Sequence, residues 1–227
     1  MNEDSKTPVV ITIGRQFGSG GRELGRRLAT ALGINYYDKE LLQQAAERAG
    51  VASDFFERND ERAPTFINGL FSFAMGFSPA ASYCGSTAIS DDGLYSAQSD
   101  FIRSLAESES CVIVGRTADY VLRDCPTMMS VFVHAPMEQC VARILSREPE
   151  LTPEKARSRA ERINKLRASY YNFYTDKEWG VASSYDLSMD TSLMSMDDIV
   201  AVLCDYVRRR FPHAFQPDGS LKIQKRD

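Results

Sequence analysis

The run Ile13-Gly-Arg-Gln-Phe-Gly-Ser-Gly-Gly-Arg-Glu-Leu24 restricts the possible folds of this chain more than any other segment. Before it stands the β-branched stretch Val9–Ile13, and after it Leu24, Leu28, Ala31 and Leu32 recur at helical spacing. A short β-branched run closed by Gly14 reads as a buried strand. Gly33, just past the last periodic residue, is a helix C-cap signal. The order is therefore strand, glycine loop, helix. Glycines in such a loop let backbone N–H groups turn inward around an anion, and the positive end of the helix faces the same point. The segment predicts a phosphate-binding loop of Gly14, Arg15, Gln16, Phe17, Gly18, Ser19, Gly20, Gly21, Arg22 and Glu23. A glycine-rich turn used only for close packing is the alternative.

The loop departs from the pattern G-x-x-x-x-G-K-S/T. If Gly18-Ser19-Gly20 is the turn before the lysine, Gly21 stands at the lysine position, Arg22 follows, and Glu23 lies near the place of a magnesium-binding hydroxyl. Shifting the frame by one puts Arg22 at the lysine position but makes Gln16 the opening glycine. The first frame keeps the G-x-G turn and is preferred. The missing cation must then come from Arg15 or Arg22, and an arginine offers a planar fork of donors rather than a point charge. Arg22 either folds over the phosphates or turns outward to an acid such as Glu23, and the first arrangement is expected. The competing dinucleotide fingerprint G-x-G-x-x-G fits Gly18 and Gly20 but meets Glu23 at its third glycine, with Asp38 where a ribose-binding acid would sit.

Further along, Ile34–Tyr37 reads as a second strand, followed by a helix from 38 to 49. Strand, helix, strand, helix is the opening of an α/β protein with a parallel sheet. From 50 to 92 the pattern breaks into an inserted, partly helical subdomain, and a helix over 95–107 follows. Strands are then expected at Cys111–Val114, Met129–His134 and Tyr185–Met189, with a helix from Met137 to Leu145. Thr152-Pro153 is a helix start, a hydroxyl cap followed by proline at the first helical position, and that helix extends to Tyr174. Ser195 and Asp198 form a capping box for a last helix reaching Arg209.

A net charge of −4 argues against binding to a nucleic-acid polymer, and the most apolar window, Phe66–Phe77, is too short and too interrupted to cross a membrane. Five cysteines without a C-x-x-C pair, and only two histidines, exclude a zinc ribbon and a disulfide framework. Reduced thiols and an acidic, polar start, Met1–Pro8, point to a cytoplasmic protein.

Four stretches together resemble the cytidylate kinase-like family of P-loop proteins, relatives of the nucleoside monophosphate kinases. They are Ile11–Glu23, Tyr36–Leu42, the Cys111–Arg123 segment with Gly115-Arg116, and Tyr170–Tyr174 with Trp179-Gly180. The resemblance implies an α/β fold over residues 1–227: a P-loop kinase-like parallel five-stranded sheet with flanking helices. It also implies an inserted monophosphate-binding subdomain at 50–92 and a helical lid at 152–183. It implies ATP-dependent phosphoryl transfer to a nucleoside monophosphate, a cytidylate-type acceptor above others, with ATP and Mg2+ as cofactors. In that scheme the loop holds the donor phosphates, and Arg116 holds the acceptor phosphate. Asp38 and Asp119 line the acceptor site, and Arg15, Arg22, Arg162 and Arg167 act on the transferred group. No metal ligand is assigned, with Glu23 and Asp38 as candidates. Members of the family carry aspartates around the Gly-Arg pair, where this chain has Val114 and Thr117. With the lysine also absent, the rival reading is a nucleotide-binding or sensor protein that kept the fold without catalysis.

Overall fold

The computed structural model describes residues 8–38, 91–216 and 220–222. The helix expected over 38–49 and the body of the segment 50–92 lie outside the described residues. The first strand, β1, spans Val10–Arg15, beginning one residue later and ending two residues later than the sequence pattern suggests. Gly14 does not stop it. A methyl group there would lie 3.0 Å from the Phe132 ring and 3.2 Å from the Tyr185 ring, so glycine permits two aromatic rings to approach the strand. The chain continues through α1 (Gly21–Leu32), β2 (Asn35–Tyr37), α2 (Asp91–Ser108), β3 (Cys111–Val114) and the single turn α3 (Ala118–Val121). It ends with β4 (Met128–His134), α4 (Met137–Arg147), α5 (Pro153–Tyr174), β5 (Leu187–Asp190) and α6 (Met196–Arg210).

The caps follow the side chains. Gly33 ends α1 at φ +66°, where its N–H reaches the carbonyls of Ala29 and Thr30. Thr152 accepts from the Lys155 N–H ahead of Pro153, and Ser195 accepts from the Asp198 N–H. Helix α2 begins four residues before the expected Tyr95.

All pairings in the five-stranded sheet are parallel, in the order β2-β3-β1-β4-β5. Helices cover both faces, so the inner strands are apolar on both sides. Val9, Ile11 and Ile13 turn to one face and pack with Val112, Val114, Val131 and Val133 beneath α1 and α6. Val10 and Ile113 turn to the other, beneath Phe101, Ile102 and Leu105 of α2. The period-2 alternation of β1 thus divides one strand between two cores. Among the described residues no helix is long and apolar enough to cross a membrane.

The cores carry most of the stability, because burial of aliphatic surface is the dominant favourable term in folding. Leu28 of α1 is fully buried, whereas Leu193 after β5 is 78% exposed. Leu28→Ala is expected to cost about 2–5 kcal/mol in urea unfolding, through lost transfer free energy and the cavity left behind. Leu193→Ala is expected to stay within about 0.5 kcal/mol. Equal losses at the two sites would contradict this packing.

Candidate active site

Parallel pairing brings the carboxyl ends of β1, β3 and β4 to one edge of the sheet, which is where open α/β sheets bind ligands. The glycine loop leaves β1 at this edge. Gly18 and Gly20 have φ of +80° and +85°, a region open to glycine at no steric cost. Gly18 also lies against α4, where a methyl group would come within 2.7 Å of the Cys140 carbonyl oxygen. Gly20 is the cap residue of α1 and Gly21 its first residue. The loop therefore passes into the helix directly at Gly20-Gly21.

Partners from distant segments fix the loop backbone. The Gln16 N–H donates to the Val133 carbonyl at 3.0 Å, and the Phe17 N–H donates to Asn164 Oδ1 at 2.8 Å. Arg167 Nη1 donates to the Arg15 carbonyl at 2.9 Å. The Ser19 carbonyl accepts from Thr191 Oγ1 at 2.6 Å and from Arg143 Nη1 at 3.0 Å, while Arg143 Nη2 also reaches the Thr191 carbonyl at 2.8 Å. The Phe17 ring packs with the α4–α5 core of Val141, Ile144, Ala156 and Ala160. The guanidinium carbons of Arg159 and Arg167 lie 5.5 and 5.7 Å from its centroid.

A cleft of about 320 Å³ opens over the loop, and five arginines line it: Arg15, Arg22, Arg147, Arg159 and Arg167. Its acids are Asp38 and Glu148, and Glu148 is paired with Arg159. Arg167 is pushed well below its ordinary pKa by burial, and further by the charge of Arg15. A cleft of this kind suits a polyanion, because guanidinium groups hold phosphate oxygens with paired donors.

The sequence-derived candidates are distributed as follows. Arg22 lines the cleft and is half-exposed, and its Nε and Nη2 both reach the buried Asp38 Oδ2 at 2.7 Å rather than a surface acid. Asp38 is buried and also accepts from the Tyr36 hydroxyl at 3.2 Å. Burial, with Asp38's charge second, pushes that phenol up to about 12. Glu23 is not among the residues that line the cleft; it pairs with Arg27 at 2.6 Å and reaches Arg147, at the cleft wall, at 3.7 Å. Arg162 is exposed on α5 and does not line the cleft. Among the described residues, no three acids, cysteines or histidines cluster as a metal site.

Arg116 follows β3, in the turn beside Arg15. Gly115, Arg116 and Thr117 have successive φ of +83°, +64° and +50°. A non-glycine residue in this region costs roughly 1–2 kcal/mol, and such strain concentrates at ligand sites. Asp119 sits in α3, buried, where it accepts from the Tyr171 hydroxyl at 2.6 Å. The aromatic run of α5 is mainly packing: Tyr171 joins Phe132 and Tyr185, and Tyr174 stacks on Tyr95 at 4.2 Å. Phe173 is the exception, 63% exposed.

Sequence reasoning missed Arg143, Arg147, Asn164 and Thr191. Only Arg143 and Arg147 left a signal, a basic pair at i,i+4 on the helix after β4.

A five-stranded parallel sheet in this order, with a glycine loop at the end of its central strand, is the architecture of P-loop kinases. A gluconokinase from Sinorhizobium meliloti shares the fold at a TM-score of 0.50 and 15% identity, covering 89% of this chain and 93% of that one. The chain belongs to the cytidylate kinase-like family, which matches it over residues 10–193. A cytidylate kinase from Methanopyrus kandleri is 26% identical over 204 residues, 86% of this chain and 91% of that protein. The crystal structure of an uncharacterized protein from Eubacterium ventriosum superposes at a TM-score of 0.65 with 27% identity, covering 88% of this chain and 98% of that one. Family and fold together support a nucleotide kinase function.

The pair Asp119–Tyr171 ties α3 to α5 and has a pH consequence. Burial pushes the Asp119 carboxyl above its ordinary pKa, with the Tyr171 hydrogen bond pulling partly the other way. An acid whose folded pKa exceeds its unfolded value of about 3.9 binds more protons folded than unfolded between the two values. Its contribution to stability therefore falls as pH rises through that window. Asp119→Asn keeps an oxygen acceptor for Tyr171 and removes the charge. The variant is expected to gain on the wild type in melting temperature as pH is raised from about 4 towards 7. A gap that narrows instead would mean that the ionised carboxylate is the stabilised form.

Proposed function

We propose that this protein transfers the γ-phosphoryl group of ATP to a nucleoside monophosphate, with a cytidylate-type acceptor. The observation that carries the reading is the adjacency of two turns with left-handed backbone at one sheet edge. The glycine loop leaves β1, and Gly115-Arg116 leaves β3, the strand paired directly with it through Ile13 and Val114. Phosphoryl transfer asks the protein for little covalent chemistry. It needs two substrates held in line, charge neutralised on the moving group, and water excluded.

The loop amides from Gly18 to Gly21 bind the donor phosphates at the start of α1. Arg116, in the left-handed turn after β3, binds the acceptor phosphate. Arg22 is oriented by its buried partner Asp38. Region 152–183 acts as the lid, with Arg159 and Arg167 over the cleft. Magnesium bound with the donor phosphates would supply neutralisation of the charge on their oxygens. Magnesium in phosphoryl transfer takes only one or two carboxylates from the protein; of the two acids in the cleft, Glu148 is paired with Arg159, and Asp38, already held by Arg22, is the one that would serve. The family supports a nucleoside monophosphate acceptor, and the Methanopyrus kandleri relative supports cytidylate among them.

A coupled assay with ATP and each nucleoside monophosphate tests the reading, with turnover expected to be highest on CMP. Absence of turnover with every acceptor, alongside stabilisation by ATP, would leave a nucleotide-binding protein without catalysis. Arg116→Ala is expected to weaken acceptor binding by about ten- to a hundredfold, the worth of a charge-assisted contact. The ATP-induced rise in melting temperature should stay as in the wild type. Equal loss of both would move Arg116 to the donor side.

A further inference from the structure

Gly21, at the lysine position of the loop, lacks a side chain, and the space that a side chain would enter is already filled. A methyl group on Gly21 would lie 2.7 Å from Arg15 Cβ and 3.1 Å from Arg15 Cγ. These atoms are the root of the arginine and cannot swing aside as its tip could. The Arg15 backbone is paired with Val133 on β4, and its carbonyl is held by Arg167. From this root the side chain crosses the mouth of the neighbouring strand. Its guanidinium takes the place that a methyl group on Gly115 would occupy. Arg15 thus spans the distance from the start of α1 to the turn that carries Arg116.

We infer that Arg15 is the loop cation for the β- and γ-phosphates of a nucleoside triphosphate, and that position 21 is glycine because the stem of Arg15 fills the lysine's place. The inference rests on the donor-site reading above and deepens it. A loop lysine approaches phosphate from the helix, whereas Arg15 approaches from the strand. Its charge therefore lies between the glycine loop and the Gly115-Arg116 turn. A planar fork of donors at that point reaches oxygens on either side, which an ammonium group does not. The nearby half-buried Arg167 adds a second positive charge to the same part of the cleft, and two like charges so close favour an anion between them.

The inference makes residues 15 and 21 exchangeable only as a pair. The probe is inorganic tripolyphosphate, with affinity read from the shift in melting temperature, so neither an acceptor nor turnover is involved. Arg15→Met keeps the stem and removes the charge. It is expected to melt like the wild type without ligand and to bind tripolyphosphate about ten- to a hundredfold more weakly. Gly21→Lys is expected to lower the ligand-free melting temperature, because its Cβ collides with Arg15. Arg15→Gly combined with Gly21→Lys vacates the space and restores a lysine to it. This double variant is expected to melt higher than Gly21→Lys alone and to recover most of the affinity lost in Arg15→Met. Unchanged affinity in Arg15→Met overturns the inference, as does a wild-type chain that tripolyphosphate fails to stabilise. A double variant no better than Gly21→Lys alone shows that the two side chains do not share one place. A wild type without kinase turnover, with the affinity loss still seen in Arg15→Met, defeats the phosphoryl-transfer reading and leaves this one standing.

Discussion

The parallel pairing of β1 with both β3 and β4 is the constraint on which the site depends. A strand flanked in this way is buried on both faces, so it has to be apolar throughout, and Val10, Ile11 and Ile13 are fully buried. Thr12 is tolerated because its hydroxyl reaches the Met129 carbonyl at 3.4 Å. The same pairing fixes where β1 ends relative to its neighbours. The loop after it, the Gly115-Arg116 turn and the exit from β4 at His134 then share one edge without any contact designed to bring them together. The first residues of the loop begin from a position fixed by register, as in the Arg15–Val133 pairing. Their polar groups then meet partners from β4, α4, α5 and the turn after β5.

Much of this was legible in the sequence because it is local. The β-branched runs, the recurrence of Leu24, Leu28 and Leu32 at helical spacing, the Gly33 cap and the Thr152-Pro153 helix start each express a rule spanning a few residues, and each reappears in the structure. Gly14 shows where a local rule misleads. Read as a strand stop, it is instead the point where Phe132 and Tyr185 close on the backbone, a demand set by residues more than a hundred positions away.

The partners of the loop were not legible for the same reason. Asn164 and Arg143 look like ordinary polar residues on amphipathic helices until the fold brings them to the Phe17 N–H and the Ser19 carbonyl. Arg22 is an intermediate case. The sequence left it a choice between ligand and surface acid, and the buried Asp38, sixteen residues on, supplied a third arrangement inside the cleft. A carboxylate this buried retains its charge only with a cation against it. The pair therefore answers the needs of Asp38 as much as those of any ligand.

Asn164 and Arg167 stand three residues apart on α5, so they share one face of the helix. One grips the N–H of Phe17 and the other the carbonyl of Arg15. The middle of α5 is thus geared to the glycine loop. A rolling or sliding motion of the helix about this point pulls on the loop at these two hydrogen bonds, and nearer the helix start Ala156, Arg159 and Ala160 meet the Phe17 ring. Any swing of the whole helix transmits tension to the backbone of the glycine loop. The position of α5 and the shape of the loop therefore change together, as parts of a single mechanical train.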